Sequence, residues 1–129
     1  MNHAYEMILD RNRSPANSGT LEQPTIHMED SNPLCGDEIE LFVYIESNEI
    51  HEMKFLSKGC SISRASTDLL CEYVTGKKIG EILGISNEEM IGLLGIEVSA
   101  MRLKCALLGL ITLKKGIREW KKEHDIRNS

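Results

Sequence analysis

The chain has 129 residues, a formal net charge of −5 and only 5% aromatic residues. This length fits one domain with a modest core, which aliphatic side chains and Met must fill. The acidic balance gives no electrostatic footprint for nucleic acid. No apolar run approaches the roughly 20 residues that a membrane span requires. We therefore expect a single domain over residues 1–129 that binds neither nucleic acid nor a membrane.

The N-terminal part of the chain is predicted to form a helix and a loop. Residues 1–12 can form a short helix with Tyr5, Ile8 and Leu9 on one side. Residues 13–23 are rich in Ser, Pro, Asn and Gly, which is typical of a loop. The first twelve residues mix charged with apolar side chains and lack the apolar core of a secretory signal. We therefore expect a cytoplasmic protein.

A β-hairpin has the clearest strand signal. Over residues 38–46, apolar and other side chains alternate with period two, which predicts a strand with one apolar face. Ser47-Asn48 suits a tight turn, and residues 49–56 are predicted to be the returning strand. With an edge strand expected at 25–30, the chain should form a small antiparallel three-stranded sheet with one covered face.

Helical spacing follows Cys60. The first helix has one broad apolar face and should end near Gly76, and the last helix runs from about Met101 to His124. Two short helical pieces are predicted between them, at 79–83 and 87–94. Strands precede helices, which indicates an α+β fold with helices packed on one face of the sheet. The expected parts are an N-terminal helix and loop (1–23), a sheet (24–57) and a helical part (60–124).

Three of the four cysteines lie at the edges of predicted elements. Cys35 precedes the first strong strand, Cys60 lies between the second strand of the hairpin and the first long helix, and Cys105 lies near the start of the last helix. Cytosolic thiols stay reduced, so these residues are interpreted first as metal ligands or nucleophiles. Cys71 lies inside a helix after two leucines and is interpreted as core filler.

The histidines are weaker ligand candidates. His3 and His124 lie near the termini, and His27 and His51 lie on predicted strands. We interpret all four as surface or strand-face residues.

The surroundings of the cysteines favour thiolates. The first turn of a helix carries partial positive charge and unpaired N–H groups, which stabilise an anionic sulfur. Cys60 and Cys105 are both expected at such positions. Arg102 and Lys104 would add positive potential beside Cys105.

The neighbours of the cysteines also favour a metal site. Gly36 and Gly59 remove side chains next to the sulfurs and permit close approach of a metal, a cluster or a partner's loop. Asp37 follows Cys35 by two residues and supplies a short, hard ligand. Three sulfurs and one carboxylate could complete a tetrahedral Zn²⁺ site or hold an iron–sulfur cluster. The alternative is three unrelated buried thiols, which spacing alone does not exclude.

Three segments resemble the U-type iron–sulfur scaffold family, which comprises IscU, SufU and the N-terminal domain of NifU. They are N-P-L-C-G-D at 32–37, G-C-S-I-S-R-A-S at 59–66 and R-L-K-C-A-L-L at 102–108. Together, in this order, they are highly specific, and the resemblance extends from about Tyr5 to Trp120.

The resemblance implies a scaffold that receives sulfur from a cysteine desulfurase and builds a [2Fe–2S] cluster. Downstream apo iron–sulfur proteins or a carrier would then accept the cluster. The family's ligands correspond to Cys35, Asp37, Cys60 and Cys105, and Zn²⁺ often occupies the same site in the family.

The chain also departs from the family pattern. Lys104 stands where IscU proteins carry His, as in SufU, although the interval from Cys60 to Cys105 is short for SufU. Residues 96–100 lack the prolines that a dedicated Hsp70 chaperone reads in IscU, so the sequence gives no support for that partner. The chain is a mixed subtype that leans towards SufU.

Three functions are compatible with this pattern. The first is the scaffold, in which Asp37 would be a labile ligand. The second is a zinc-dependent sulfurtransferase, an enzyme-like role in which Cys105 is the sulfur acceptor. The third is a structural zinc module without transfer chemistry.

Overall fold

A three-stranded antiparallel sheet with helices packed against one face forms the fold, as predicted. The computed structural model describes residues 3–33 and 36–127, with side chains as far as residue 123. Within these residues, no helix combines the length and apolar composition that crossing a bilayer requires. The elements in chain order are α1 (His3–Arg13), β1 (Ile26–Asn32), β2 (Asp37–Glu46), β3 (Glu49–Lys58), α2 (Ser61–Val74), α3 (Ile79–Leu83), α4 (Asn87–Leu94) and α5 (Ala100–Arg127).

The sheet has β2 in the centre, and its alternation separates a helix-covered face from an outer face. Ile39, Leu41 and Val43 point from β2 into the core and are buried. The turn between β2 and β3 is tight because Ser47 and Asn48 both adopt positive φ angles, of 54° and 63°. Such angles match the twist of a two-residue hairpin. The predicted hairpin is therefore confirmed.

Helix α2 is buried on more sides than its apolar pattern predicts, because other elements pack around it. Its buried side chains include Asp68, which accepts hydrogen bonds from Arg11 at 2.8 Å and from the backbone N–H of Asn17 at 2.9 Å. Arg11 also pairs with Glu72 one turn further along α2. These bonds fasten α1 and the following loop to α2, and they satisfy the buried carboxylate.

The apolar side predicted for α1 is only partly buried. Ile8 is buried, whereas Tyr5 and Leu9, which share its side of the helix by their spacing, are exposed. Leu103 of α5 is also exposed, because the first turn of this helix extends beyond its packing partners and burial begins at Cys105.

Helix α5 approaches its neighbours closely at two glycines spaced seven residues apart. A Cβ atom at Gly109 would lie 2.7 Å from Oγ1 of Thr67 in α2. A Cβ atom at Gly116 would lie 2.7 Å from Cγ of Met28 and 2.8 Å from Cγ2 of Ile26, both in β1. Since seven residues are about two helical turns, both glycines lie on the face that packs against the core.

We predict opposite effects of alanine at two helical glycines. Gly116→Ala should destabilise the protein, because overpacking costs about 1–3 kcal/mol. This cost is larger than the advantage in helix propensity that alanine has over glycine. Gly92→Ala in α4 is the matched control, because no described atom outside its own turn of helix lies within 4 Å of its added Cβ. It should stabilise the protein by about 0.5–1 kcal/mol. Urea denaturation of both variants measures the difference, and equal stabilisation would contradict the close contact of α5 with β1.

Candidate metal centre

Three of the four predicted ligands come together at one end of the sheet. A carboxylate oxygen of Asp37 and the Sγ atoms of Cys60 and Cys105 all lie within 4.8 Å of one another. Asp37 is the first residue of β2, Cys60 directly precedes α2, and Cys105 lies in α5. Cys35 lies outside the described residues, so its part in this cluster stays a prediction.

Asp37 is the most constrained member of the cluster. Its side chain is fully buried, and its Oδ1 accepts a hydrogen bond of 2.6 Å from the backbone N–H of Cys60. Its Oδ2 is buried and has no hydrogen-bond partner among the described residues. An unpaired buried polar group costs about 1–3 kcal/mol, and more when it is charged. A cation beside the two sulfurs would satisfy this oxygen, so the donor set fits a metal ion or cluster.

Glycine is needed at position 59 because of the close contact with Asp37 rather than because of the sulfurs. Its φ angle is +117°, and a Cβ atom there would lie 2.3 Å from Oδ1 and 2.9 Å from Cα of Asp37. A side chain at position 59 would therefore displace the carboxylate. Gly36 differs, since no described atom lies within 4 Å of its Cβ position, and its φ of +72° is the reason for glycine there.

Cys60 is the accessible sulfur of the cluster. It occupies the N-cap position of α2 with φ −66° and ψ 138°, and its side chain does not cap the helix. It is half-buried, and Nη1 of Arg102 donates to its Sγ at 2.9 Å. Arg102 was expected beside Cys105, but its long side chain reaches across to α2. Arg102 follows Cys60 by 42 positions, which explains why sequence spacing did not predict this contact.

Cys105 is held in the cluster by helix packing. It is 3% exposed and is the sixth residue of α5, which begins at Ala100. The helix-terminus effect falls off within the first turn, so the expected influence of the helix start on Cys105 is wrong. The hydroxyl of Ser66 in α2 donates to the carbonyl of Ala106 at 2.6 Å and keeps α5 against α2 at this point. Lys104 is exposed on the same turn.

Cys71 belongs to the core, as predicted. It is fully buried, and burial raises the pKa of its thiol well above the usual value, with a further increase from the charges of Asp68 and Glu72. Cys71 therefore stays a protonated thiol and is unsuited to bind a metal.

The histidine predictions also agree with the structure where it describes these residues. His3 is exposed on α1, and His27 and His51 are exposed on β1 and β3. The side chain of His124 lies outside the described part of the chain.

Comparisons with known proteins point to one family. The family model described as NifU-like N terminal domain matches residues 4–126. The chain is 31% identical to the zinc-dependent sulfurtransferase SufU of Bacillus subtilis, covering 87% of each protein. It is also 31% identical to the iron–sulfur cluster assembly scaffold protein IscU of Thermotoga maritima, covering 88% of this chain and 92% of that protein.

The fold is also similar to that of a solved structure. The crystal structure of a putative iron–sulfur cluster assembly scaffold protein for the SUF system from Fervidobacterium islandicum matches with a TM-score of 0.77 at 27% identity. The match covers 87% of this chain and 94% of that one. The three-stranded sheet and its covering helices are thus shared with this protein.

Alanine at two glycines should separate backbone strain from the contact with Asp37. Gly59→Ala and Gly76→Ala both force alanine into a positive φ, which costs on the order of 1–3 kcal/mol. Only Gly59→Ala brings a Cβ onto Asp37, since no atom lies within 4 Å of the Cβ position of Gly76. We expect Gly59→Ala to lose zinc to a chelator at concentrations at which Gly76→Ala and wild type retain it. Equal zinc retention by the two variants would contradict this account of the site.

Proposed function

Because this chain belongs to the NifU-like N-terminal domain family, we propose that it is a scaffold for iron–sulfur cluster assembly. It accepts sulfur from a cysteine desulfurase, assembles a [2Fe–2S] cluster on Cys35, Asp37, Cys60 and Cys105, and passes it to an apo protein or carrier. The observation that carries the proposal is the buried Oδ2 of Asp37, which has no hydrogen-bond partner among the described residues and lies close to two cysteine sulfurs. The similarity to a protein named as an IscU scaffold supports it.

The donor set suits a cluster that is built and then released. Thiolates are strong, soft ligands for iron, whereas the carboxylate of Asp37 is a harder and weaker ligand for a cluster. Burial of Asp37 and Cys105 limits the access of water to one side of the site. Cys60 is only half-buried, so iron and sulfur would enter and leave on its side.

Arg102 contributes positive charge where the cluster would add negative charge. Thiolates, a carboxylate and inorganic sulfide together concentrate negative charge in a small volume. Arg102 contacts the sulfur of Cys60 directly and is itself exposed to solvent. It can therefore stabilise the anionic sulfur and still move aside when a partner docks, because its long side chain is not enclosed.

A zinc-dependent sulfurtransferase is the second candidate. It is supported by the similarity to the Bacillus subtilis protein of that name, by Arg102 at the sulfur of Cys60, and by Lys104 directly before Cys105 in the sequence. Bound zinc would keep the cysteines deprotonated in the resting protein. The residues proposed to hold it are Cys35, Asp37, Cys60 and Cys105.

In that function Cys105 is the proposed sulfur acceptor. Its thiolate would attack the terminal sulfur of the desulfurase persulfide. A new S–S bond forms at Cys105, the persulfide S–S bond breaks, and the desulfurase cysteine leaves as a thiolate. Since Cys105 is buried, this attack requires a local movement that exposes its sulfur.

Metal and sulfide analysis after anaerobic purification tests the scaffold against the sulfurtransferase. We expect wild type to contain iron with acid-labile sulfide, and Cys105→Ser to lose both, because one of the sulfur ligands is removed. Cys71→Ala is the matched control, since it removes a thiol that lies in the core and outside the cluster. It should keep the iron and sulfide of wild type.

The other outcomes of this experiment are equally informative. One zinc per chain without sulfide would favour the sulfurtransferase. That function also requires that adding the protein raises desulfurase turnover. Absence of metal from wild type and from Cys71→Ala would contradict the site itself.

Asp37→Asn should prolong the lifetime of the assembled cluster. Its amide oxygen can still accept the N–H of Cys60, while its NH₂ group replaces the ligating oxygen. Exchange with an acceptor would begin at the weakly bound carboxylate, so replacing it should slow release of the cluster to a chelator or an apo acceptor, as measured by the decay of visible absorption.

Asp30→Asn serves as the control for loss of a carboxylate elsewhere. Asp30 lies on β1 and pairs with Lys115 of α5 at 3.0 Å, outside the cluster. It should release its cluster at the wild-type rate. A cluster lifetime in Asp37→Asn equal to that of wild type would argue against a labile role for Asp37.

A further inference from the structure

A second group of potential ligands lies on the outer face of the sheet, away from the helices. His27 and Glu29 on β1 and Glu40 on β2 each offer one ligand atom, and these atoms lie within 4.8 Å of one another. Alternation along β2 places Asp37 on the covered face and Glu40 on the outer face. Three residues along a strand span about 10 Å, so this group is separate from the thiolate cluster.

The strand register brings two negative charges into direct opposition. Glu29 pairs with Glu40 across β1 and β2, and like charges directly opposite each other destabilise a sheet. Within the described residues, no lysine or arginine forms an ion pair with either carboxylate. The compensating group is His27, whose Nε2 lies 2.5 Å from Oε2 of Glu40. A cation between the two carboxylates would remove this repulsion.

The imidazole of His27 is held in a fixed orientation. Its ring stacks on Phe42, with ring centroids 4.6 Å apart and an interplanar angle of 17°. Phe42 lies on the outer face but is only 6% exposed, because His27 and its other neighbours cover it. A ligand that is positioned before the metal arrives loses less conformational freedom when it binds.

The remaining space suits the water ligands of a bound ion. Glu29 and Glu40 line part of an open cavity of about 820 Å³, whose lining extends to Ile39 and Arg64 on the helix-covered side. The other exposed strand histidine, His51, lacks these features. Its ring packs edge-on against the ring of Tyr44, and its Nδ1 lies 3.6 Å from Oε2 of Glu46. It belongs to no group of three potential ligands among the described residues.

We propose that His27, Glu29 and Glu40 bind a hydrated divalent first-row transition-metal ion. One imidazole nitrogen and two carboxylates suit Mn²⁺, Fe²⁺ or Zn²⁺, with water completing the coordination. This N/O site differs in chemistry from the sulfur-rich cluster on the other side of the sheet. The proposal does not depend on the function assigned to that cluster.

Manganese uptake by the full-length chain tests the site. The protein is first loaded with one equivalent of zinc to occupy the thiolate cluster. It is then titrated with Mn²⁺, which prefers oxygen and nitrogen over sulfur, while free Mn²⁺ is followed by electron paramagnetic resonance. Wild type should take up one Mn²⁺ per chain with saturation. His27→Ala and the isosteric Glu29→Gln should abolish this uptake, and His51→Ala should retain it.

Circular dichroism establishes that each variant is folded, which the exposure of all three substituted residues favours. A Cys60→Ser variant, titrated without the zinc that could otherwise occupy this site, should still bind Mn²⁺, which separates this site from failure of the thiolate cluster. The proposal is overturned by absence of saturable uptake in wild type or by undiminished uptake in His27→Ala and Glu29→Gln. Equal loss in His51→Ala would also overturn it.

Discussion

The hydrogen bond from the backbone N–H of Cys60 to the carboxylate of Asp37 joins the start of β2 to the start of α2. The β2–β3 register makes this contact possible, because Glu38 pairs with Lys58 and places residues 37 and 59 at the same end of the sheet. A slip by one residue would turn Asp37 to the opposite face. Glycine at position 59 then allows the chain to pass over the carboxylate. The relative positions of Asp37 and Cys60 therefore depend both on the register of the hairpin and on glycine at position 59.

Helix α2 connects this contact to the rest of the fold. On one side its buried Asp68 receives Arg11 and the loop after α1. On another side Ser66 binds the backbone of α5 beside Cys105. Small side chains in both helices allow this close approach, since Ala65 and Ala106 are both buried in the same cluster. The sulfur of Cys105 is therefore brought to the sulfur of Cys60 by helix packing rather than by a loop. Its position consequently depends on the packing of the core.

Local patterns were sufficient to predict the elements of the fold. Period-two alternation identified the hairpin, and Gly76 marked the end of α2, because turns and helix ends have requirements that neighbouring residues reveal. The candidate ligands were recognised from their motifs, and the structure brings three of them together. Such patterns depend only on residues that are close to one another in the sequence.

Contacts between distant segments could not be derived in this way. The exposure of Tyr5 depends on which element α1 meets, and the burial of Asp68 depends on Arg11, 57 residues earlier. The contact of Arg102 with Cys60 likewise follows from the packing of α5 on α2. A helix-spaced pair such as Gly109 and Gly116 is a signal that could have indicated close packing, because glycine otherwise weakens a helix.

The buried Oδ2 of Asp37, which has no hydrogen-bond partner in the described part of the chain, links stability to cation binding. Burying such an oxygen is costly, so a cation that satisfies it would stabilise the folded chain. A site of cysteine sulfurs alone would favour tight, lasting retention of a soft metal. Here the hard ligand Asp37 is buried and the half-buried Cys60 lies beside the exposed side chain of Arg102, so the site favours occupancy and still has an accessible side. That combination suits transient holding better than permanent structural binding, because a closed structural site has no need of an accessible sulfur.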